Sequence, residues 1–126
     1  MPTAVDAVDR LIVAVADRDV SRIAQCFHVD AQSSQWGVPA VVAGRDDIEL
    51  MYEQLIKTHP GITVAIAQRM AVGDVVVDHE QISGYSHLPD DTVIDKVYVY
   101  TVREGRIVTM AGISAQLWSE FHPWGE

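Results

Sequence analysis

Two periodicities divide this chain. From Thr3 to Thr58 the apolar positions recur every three or four residues, and from Ile62 onward they alternate. Val5, Val8, Ile12 and Val15 form one helical stripe with Asp6, Asp9, Arg10 and Asp17 opposite. Thr3 with Asp6 has the form of a capping box at its start. Asp19 is placed to cap a short second helix that turns Val20, Ile23, Ala24 and Phe27 inward. A third helix is expected from Asp46, burying Ile48, Met51, Tyr52, Leu55 and Ile56 and ending at His59-Pro60-Gly61. Period two then predicts four long strands, Ile62–Val72, Val75–Ser86, Val93–Val102 and Arg106–Leu117, with one or two short ones within Gln32–Ala43. Gly73-Asp74 and Glu104-Gly105 are compact turns, and the stretch from Ser86 to Asp91 is a looser one. Short connections between consecutive strands imply an antiparallel meander, so the expected class is α+β with the helices on one face of a curved sheet.

Composition narrows what such a fold is for. The chain has 126 residues, 48% hydrophobic, which suits one domain spanning residues 1–126 with its own core. Its 18 acidic against 9 basic residues give a formal charge of −9, which argues against nucleic acid or an anionic membrane surface as partner. A single cysteine, Cys26, allows no internal disulfide and no cysteine-rich zinc cluster, and His28, His59, His87 and His122 lack metal-ligand spacing. No metal is therefore expected. The first residues lack a basic segment before an apolar run, and no stretch is long enough to span a bilayer, so a soluble, cytoplasmic protein is expected.

The order of elements, with Asp19–Ala31, Gly44-Arg45-Asp46-Asp47-Ile48, Gly73–Val77 and Glu104-Gly105-Arg106-Ile107, resembles the nuclear transport factor 2-like superfamily. Its members include ketosteroid isomerase, limonene epoxide hydrolase, scytalone dehydratase and the SnoaL-like polyketide cyclases. The resemblance implies a cone-shaped antiparallel sheet wrapped around three N-terminal helices, a cystatin-like α+β barrel open at one end. It also implies an apolar small-molecule pocket, no cofactor and frequent dimerisation through the outer sheet face. Carried over residue by residue, it places Ser33 and Gln35 at the cone mouth and His79, Gln81 and Ser83 on the inner face of the second long strand. Lys96 and Tyr98 would come from the third long strand, and Met110, Gly112 and Ser114 from the fourth. The resemblance also marks departures. The isomerase's catalytic aspartate corresponds to Gln35, and its oxyanion hole falls near Leu11 and Tyr98. The epoxide hydrolase's arginine and aspartates become Gln81, Ser83 and Gly112. An amide accepts no proton at neutral pH, so neither activity carries over.

Within that placement His79, Tyr98 and Lys96 are the candidate catalytic groups. His79 titrates near neutrality, Tyr98 can polarise a carbonyl, and Lys96 in an apolar cone can act as base or Schiff-base nucleophile. Each also has a plain structural role: a satisfied core histidine, a packing tyrosine, a lysine that snorkels to water. Ser33, Gln35, Gln81, Ser83, Met110, Gly112 and Ser114 are the candidate substrate-binding positions. Asp78, Glu80 and Asp95 are expected to face outward. Trp118 and Trp124 in the C-terminal stretch are expected to be covered, by the cone, the outer sheet face or a second subunit. Two functions stay open: a cofactor-independent isomerase, dehydratase or cyclase acting on an apolar oxygenated molecule by acid–base catalysis, or a non-catalytic dimeric ligand-binding or interaction module.

Overall fold

The computed structural model describes residues 3–114. Three helices come first in its framework: α1 (Ala4–Ala16), α2 (Val20–Gln25) and, after two strands, α3 (Arg45–Thr58). The strands are β1 (Phe27–Gln35), β2 (Val41–Ala43), β3 (Thr63–Val72), β4 (Val75–Ser83), β5 (Val93–Arg103) and β6 (Arg106–Ser114). They form one six-stranded sheet in the order β2-β1-β6-β5-β4-β3. All neighbours are antiparallel except β1 and β6, which run parallel, so the meander from β3 to β6 is extended to β1 and β2 across a parallel seam. An α+β domain with helices on one face of the sheet is what the periodicities predict.

Local chemistry accounts for the helix ends. Thr3 and Asp6 complete the capping box, each side chain taking the other's backbone N–H, at 3.1 and 2.9 Å. Asp19 caps α2 through the Arg22 N–H at 3.1 Å. Phe27 lies beyond α2: the helix stops at Gln25, and Phe27 opens β1 as a fully buried core residue. The second long strand ends at Ser83 rather than Ser86, because Gly84, at φ +87°, packs so close to the backbone of Gly61 that no Cβ fits between them. The core is built by Ala7, Val8 and Leu11 of α1, Ile23 of α2, Ile48 of α3, and Val76, Tyr100 and Ile107 of the sheet.

The parity of β4 is opposite to the sequence expectation. Val76, Asp78, Glu80 and Ile82 are buried on the helix-facing side, at 0, 0, 2 and 5% exposure. Their neighbours Val77, His79, Gln81 and Ser83 take the outer face. A one-residue change of parity turns every side chain of a strand over. His79, Gln81 and Ser83 are therefore outside the cone, while Asp78 and Glu80 are inside it; only Asp95 faces outward as expected. Two carboxylates on an inner sheet face require compensation. Asp78 obtains it from Arg69 of β3, whose Nε and Nη2 donate to its two oxygens at 2.6 and 2.9 Å, while Nη1 donates to Asp9 of α1 at 2.6 Å. This bidentate fork also clamps α1 to the sheet. Trp118 and Trp124 lie outside the described residues. Among the described residues no helix is long and apolar enough to cross a membrane.

Candidate functional site

Between the helices and the inner sheet face lies a cavity of about 380 Å³. Leu11, Ile12 and Val15 of α1 and Met51 and Leu55 of α3 line one side, with Tyr52, Gln54 and Thr58 of α3 and the following His59 adding polar atoms there. The other side is the inner face of the sheet, and it brings a second set of polar groups. Ser33 and Gln35 arrive from β1, Glu80 from β4, Lys96, Tyr98 and Tyr100 from β5, and Met110 from β6. Register accounts for the grouping. Glu80 stands opposite Lys96, Tyr98 opposite Gly112, Tyr100 opposite Met110, and Gln35 beside Gly112 across the parallel seam.

Glu80 is the one carboxyl group among the described lining residues, and this setting alters it. The Tyr100 hydroxyl donates to its Oε2 at 2.6 Å, in a contact buried from solvent. Burial drives its pKa up to about 7; the Tyr100 hydrogen bond opposes the rise, the Asp78 charge adds to it, and Lys96 and Arg69 pull against it. A carboxyl group in this state is part acid and part base near neutrality. Burial, with the Glu80 charge adding to it, also holds the Tyr100 hydroxyl protonated well beyond its ordinary range, so it is a donor throughout.

Tyr98 is the second polar centre. Burial pushes it up to about 12, against the effect of Gln35, whose Nε2 lies 3.5 Å from the hydroxyl as a long donor. Because the hydroxyl accepts that contact, its own hydrogen is left for a ligand oxygen. The Lys96 Nζ lies 5.9 Å from the centre of the Tyr98 ring, within cation–π range. Gly112 makes the arrangement possible. A Cβ there would sit 2.6 Å from Tyr98 Cε1 and 2.9 Å from Gln35 Nε2, so any side chain would push both from their places. Its role is to give up space rather than to touch a ligand. Ser114 pairs with Lys96 at the last described position of β6.

The three outward residues of β4 have partners of their own. His79 Nε2 lies 2.7 Å from Asp95 Oδ1, and Gln81 Nε2 donates to the same oxygen at 3.4 Å. The His79 hydrogen bond holds Asp95 below the usual carboxylate range. Ser83 Oγ shares a 2.7 Å hydrogen bond with Thr63 Oγ1. None of the three lines the cavity. The structure thus brings Ser33, Gln35, Lys96, Tyr98 and Met110 together, removes His79, Gln81 and Ser83, and supplies Glu80 and Tyr100 in their stead. Among the described residues no cluster of three His, Cys, Asp or Glu side chains is arranged to hold a metal ion.

Comparison with known proteins agrees with this geometry. The pattern of the SnoaL-like domain matches residues 8–110, most of the chain. The chain belongs to the SnoaL-like domain family. Several solved structures share the fold of this SnoaL-like domain. A cystatin-fold protein from Novosphingobium aromaticivorans is 18% identical, with a TM-score of 0.78 over 88% of this chain and 97% of that one. A SnoaL-like polyketide cyclase, assigned as such only provisionally, from Jannaschia sp. CCS1 is 17% identical, with a TM-score of 0.75 over 93% and 88%. TerC, co-crystallised with polyporic acid, is 20% identical, with a TM-score of 0.77 over 95% of each chain. No curated protein matches the chain closely enough to name a relative. The one sequence cue to Glu80 is Ile82, which shares its parity and stands between the polar Gln81 and Ser83.

The pKa of Glu80 makes folding stability depend on pH. The folded chain holds this proton up to about 7, whereas an ordinary glutamate releases it at 4.5. Between those values the unfolded chain binds fewer protons, so the contribution of Glu80 is fully present below the lower value and is lost as pH rises through the upper one. A shift of this size corresponds to a loss of ~3 kcal/mol. Urea unfolding of the wild type and of Glu80→Gln, at about pH 5 and about pH 8, is expected to show a decline larger by roughly that amount in the wild type. Equal declines would show that Glu80 titrates as an ordinary glutamate.

Proposed function

We propose that this SnoaL-like domain is a cofactor-independent acid–base enzyme acting on an apolar, oxygen-bearing small molecule, as an isomerase, dehydratase or cyclase. One observation carries the reading: Glu80, a buried carboxyl poised near neutrality, lies on the wall of a largely apolar cavity. With Tyr100 on Oε2, its Oε1 is the oxygen left for a ligand. As carboxylate it takes a proton from a carbon next to a carbonyl; as acid it returns the proton to another carbon or to a departing hydroxyl. The Tyr98 hydroxyl donates to the carbonyl oxygen and stabilises the negative charge that grows there, while Lys96 supplies a positive charge on the same wall. Leu11, Ile12 and Val15 of α1 with Met51 and Leu55 of α3 hold the hydrocarbon body. The fold shared with TerC, a protein co-crystallised with polyporic acid, is in keeping with such a ligand.

Proton exchange tests this without knowledge of the natural substrate. A panel of cyclic ketones in deuterated water, followed by NMR, is expected to show faster exchange of the α-hydrogens with the wild-type chain than with buffer. Glu80→Gln should lower that rate by about 10²–10⁴-fold while ketones still raise the melting temperature, and His79→Ala should leave it unchanged. Undiminished exchange in Glu80→Gln would overturn the role of Glu80. Ketone binding without exchange in the wild type would favour a non-catalytic ligand-binding module.

The outer sheet face supports a second element of the proposal, a homodimer. Met70, Val97 and Ile113 are exposed at 61, 37 and 37%, with His79 and Asp95 among the polar groups of the outer face. Light scattering is expected to give twice the chain mass at micromolar concentration, and Val97→Glu should halve it. A one-chain mass throughout that range would refute the dimer.

A further inference from the structure

A second cleft, of about 450 Å³, shares no lining residue with the cavity. It lies where α1, α2 and the turn between β5 and β6 meet, and it contains Arg10, Arg22 and Arg106. Three of the nine basic residues of a chain with formal charge −9 thus line one recess; Glu104 lines it with them, and Asp17 pairs with Arg22 from outside the lining. Guanidinium groups repel one another, so gathering three of them is unfavourable unless an anion joins them. Their ordering is partly complete before any ligand arrives. Arg10 Nη2 donates to the Gly105 carbonyl at 2.6 Å, and Arg22 Nη1 to Asp17 at 2.9 Å. Each guanidinium carries five N–H donors, so both retain several for a ligand. The Arg106 side chain makes no hydrogen bond or ion pair among the described residues. Arg10 and Arg22 also both act on the Cys26 thiol in the cleft wall, so their charges converge on one region.

We infer that this cleft is a binding site for a small organic dianion, a phosphate monoester or a dicarboxylate, separate from the cavity that holds Glu80. Planar guanidinium forks match both ligand groups, since each presents paired oxygens at the same spacing. The cleft is larger than an inorganic ion requires, which leaves room for an organic body beside Gln25 and the backbone at Gly105.

Calorimetric titration of the full chain at low salt with phenyl phosphate and with phthalate tests the site. Saturable binding of either dianion is expected, weakening at high salt, and the stronger of the two identifies the ligand chemistry. Arg106→Gln should weaken that binding by roughly tenfold or more, as the loss of one charge-assisted contact implies. Arg22→Gln should weaken it in the same direction. Arg103→Gln removes a charge from the same hairpin without touching the cleft, and should leave affinity unchanged. Absence of saturable heat with both probes at millimolar concentration would overturn the inference. So would equal losses in the Arg103 and Arg106 variants, which would reveal only a diffuse positive field.

Discussion

Two carboxylates at adjacent inward positions of β4 govern this molecule. The pleat that buries Val76 and Ile82 buries Asp78 and Glu80 with them. A buried carboxylate survives as an ion only if it is paired, and otherwise it takes up a proton. The sheet uses both solutions side by side. Asp78 meets the Arg69 fork and serves structure, fastening α1 through Asp9. Glu80, one pleat further, receives only the Tyr100 hydroxyl, so it stays near the point of half-ionisation and is available for chemistry.

The remaining features of the cavity follow from cross-strand register. Once Glu80 faces inward, antiparallel pairing brings Lys96, then Tyr98 and Tyr100, to the same side, and β6 must match them. Tyrosine rings on one strand need room on the next. Gly112 supplies it opposite Tyr98, and Met110 supplies a flexible filler opposite Tyr100. The parallel seam between β1 and β6 then delivers Gln35 to the Tyr98 hydroxyl. A donor, an acid–base group and an ammonium thus share a wall that faces the apolar side chains of α1.

Much of this was legible in the sequence. Helix caps and strand alternation are local signals, and they mark the elements in order; the family resemblance, carried over residue by residue, places Lys96, Tyr98, Ser33, Gln35 and Met110 on the cavity wall. The parity of β4 was harder to read. Val75, Val76 and Val77 are apolar on both faces, and Asp78 to Gln81 are polar on both, so neither run shows which face is buried. Polar residues are ordinarily assigned to water, a rule that fails where a functional site buries them. The family resemblance places His79 inward and so turns Asp78 and Glu80 outward; the partner of His79, Asp95 on β5, is visible only once the strands are paired. Long-range contacts such as Arg69 with Asp78 likewise depend on tertiary register that a local pattern does not carry.

The state of Glu80 is open to direct observation. A chain labelled with carbon-13 at the glutamate side-chain carboxyls, with Glu80→Gln used to assign the resonance, permits its titration to be followed by NMR. The account predicts a midpoint at about 7 for Glu80. A midpoint near the ordinary 4.5 would contradict it, since a fully ionised Glu80 would be neither buried as described nor poised for proton transfer.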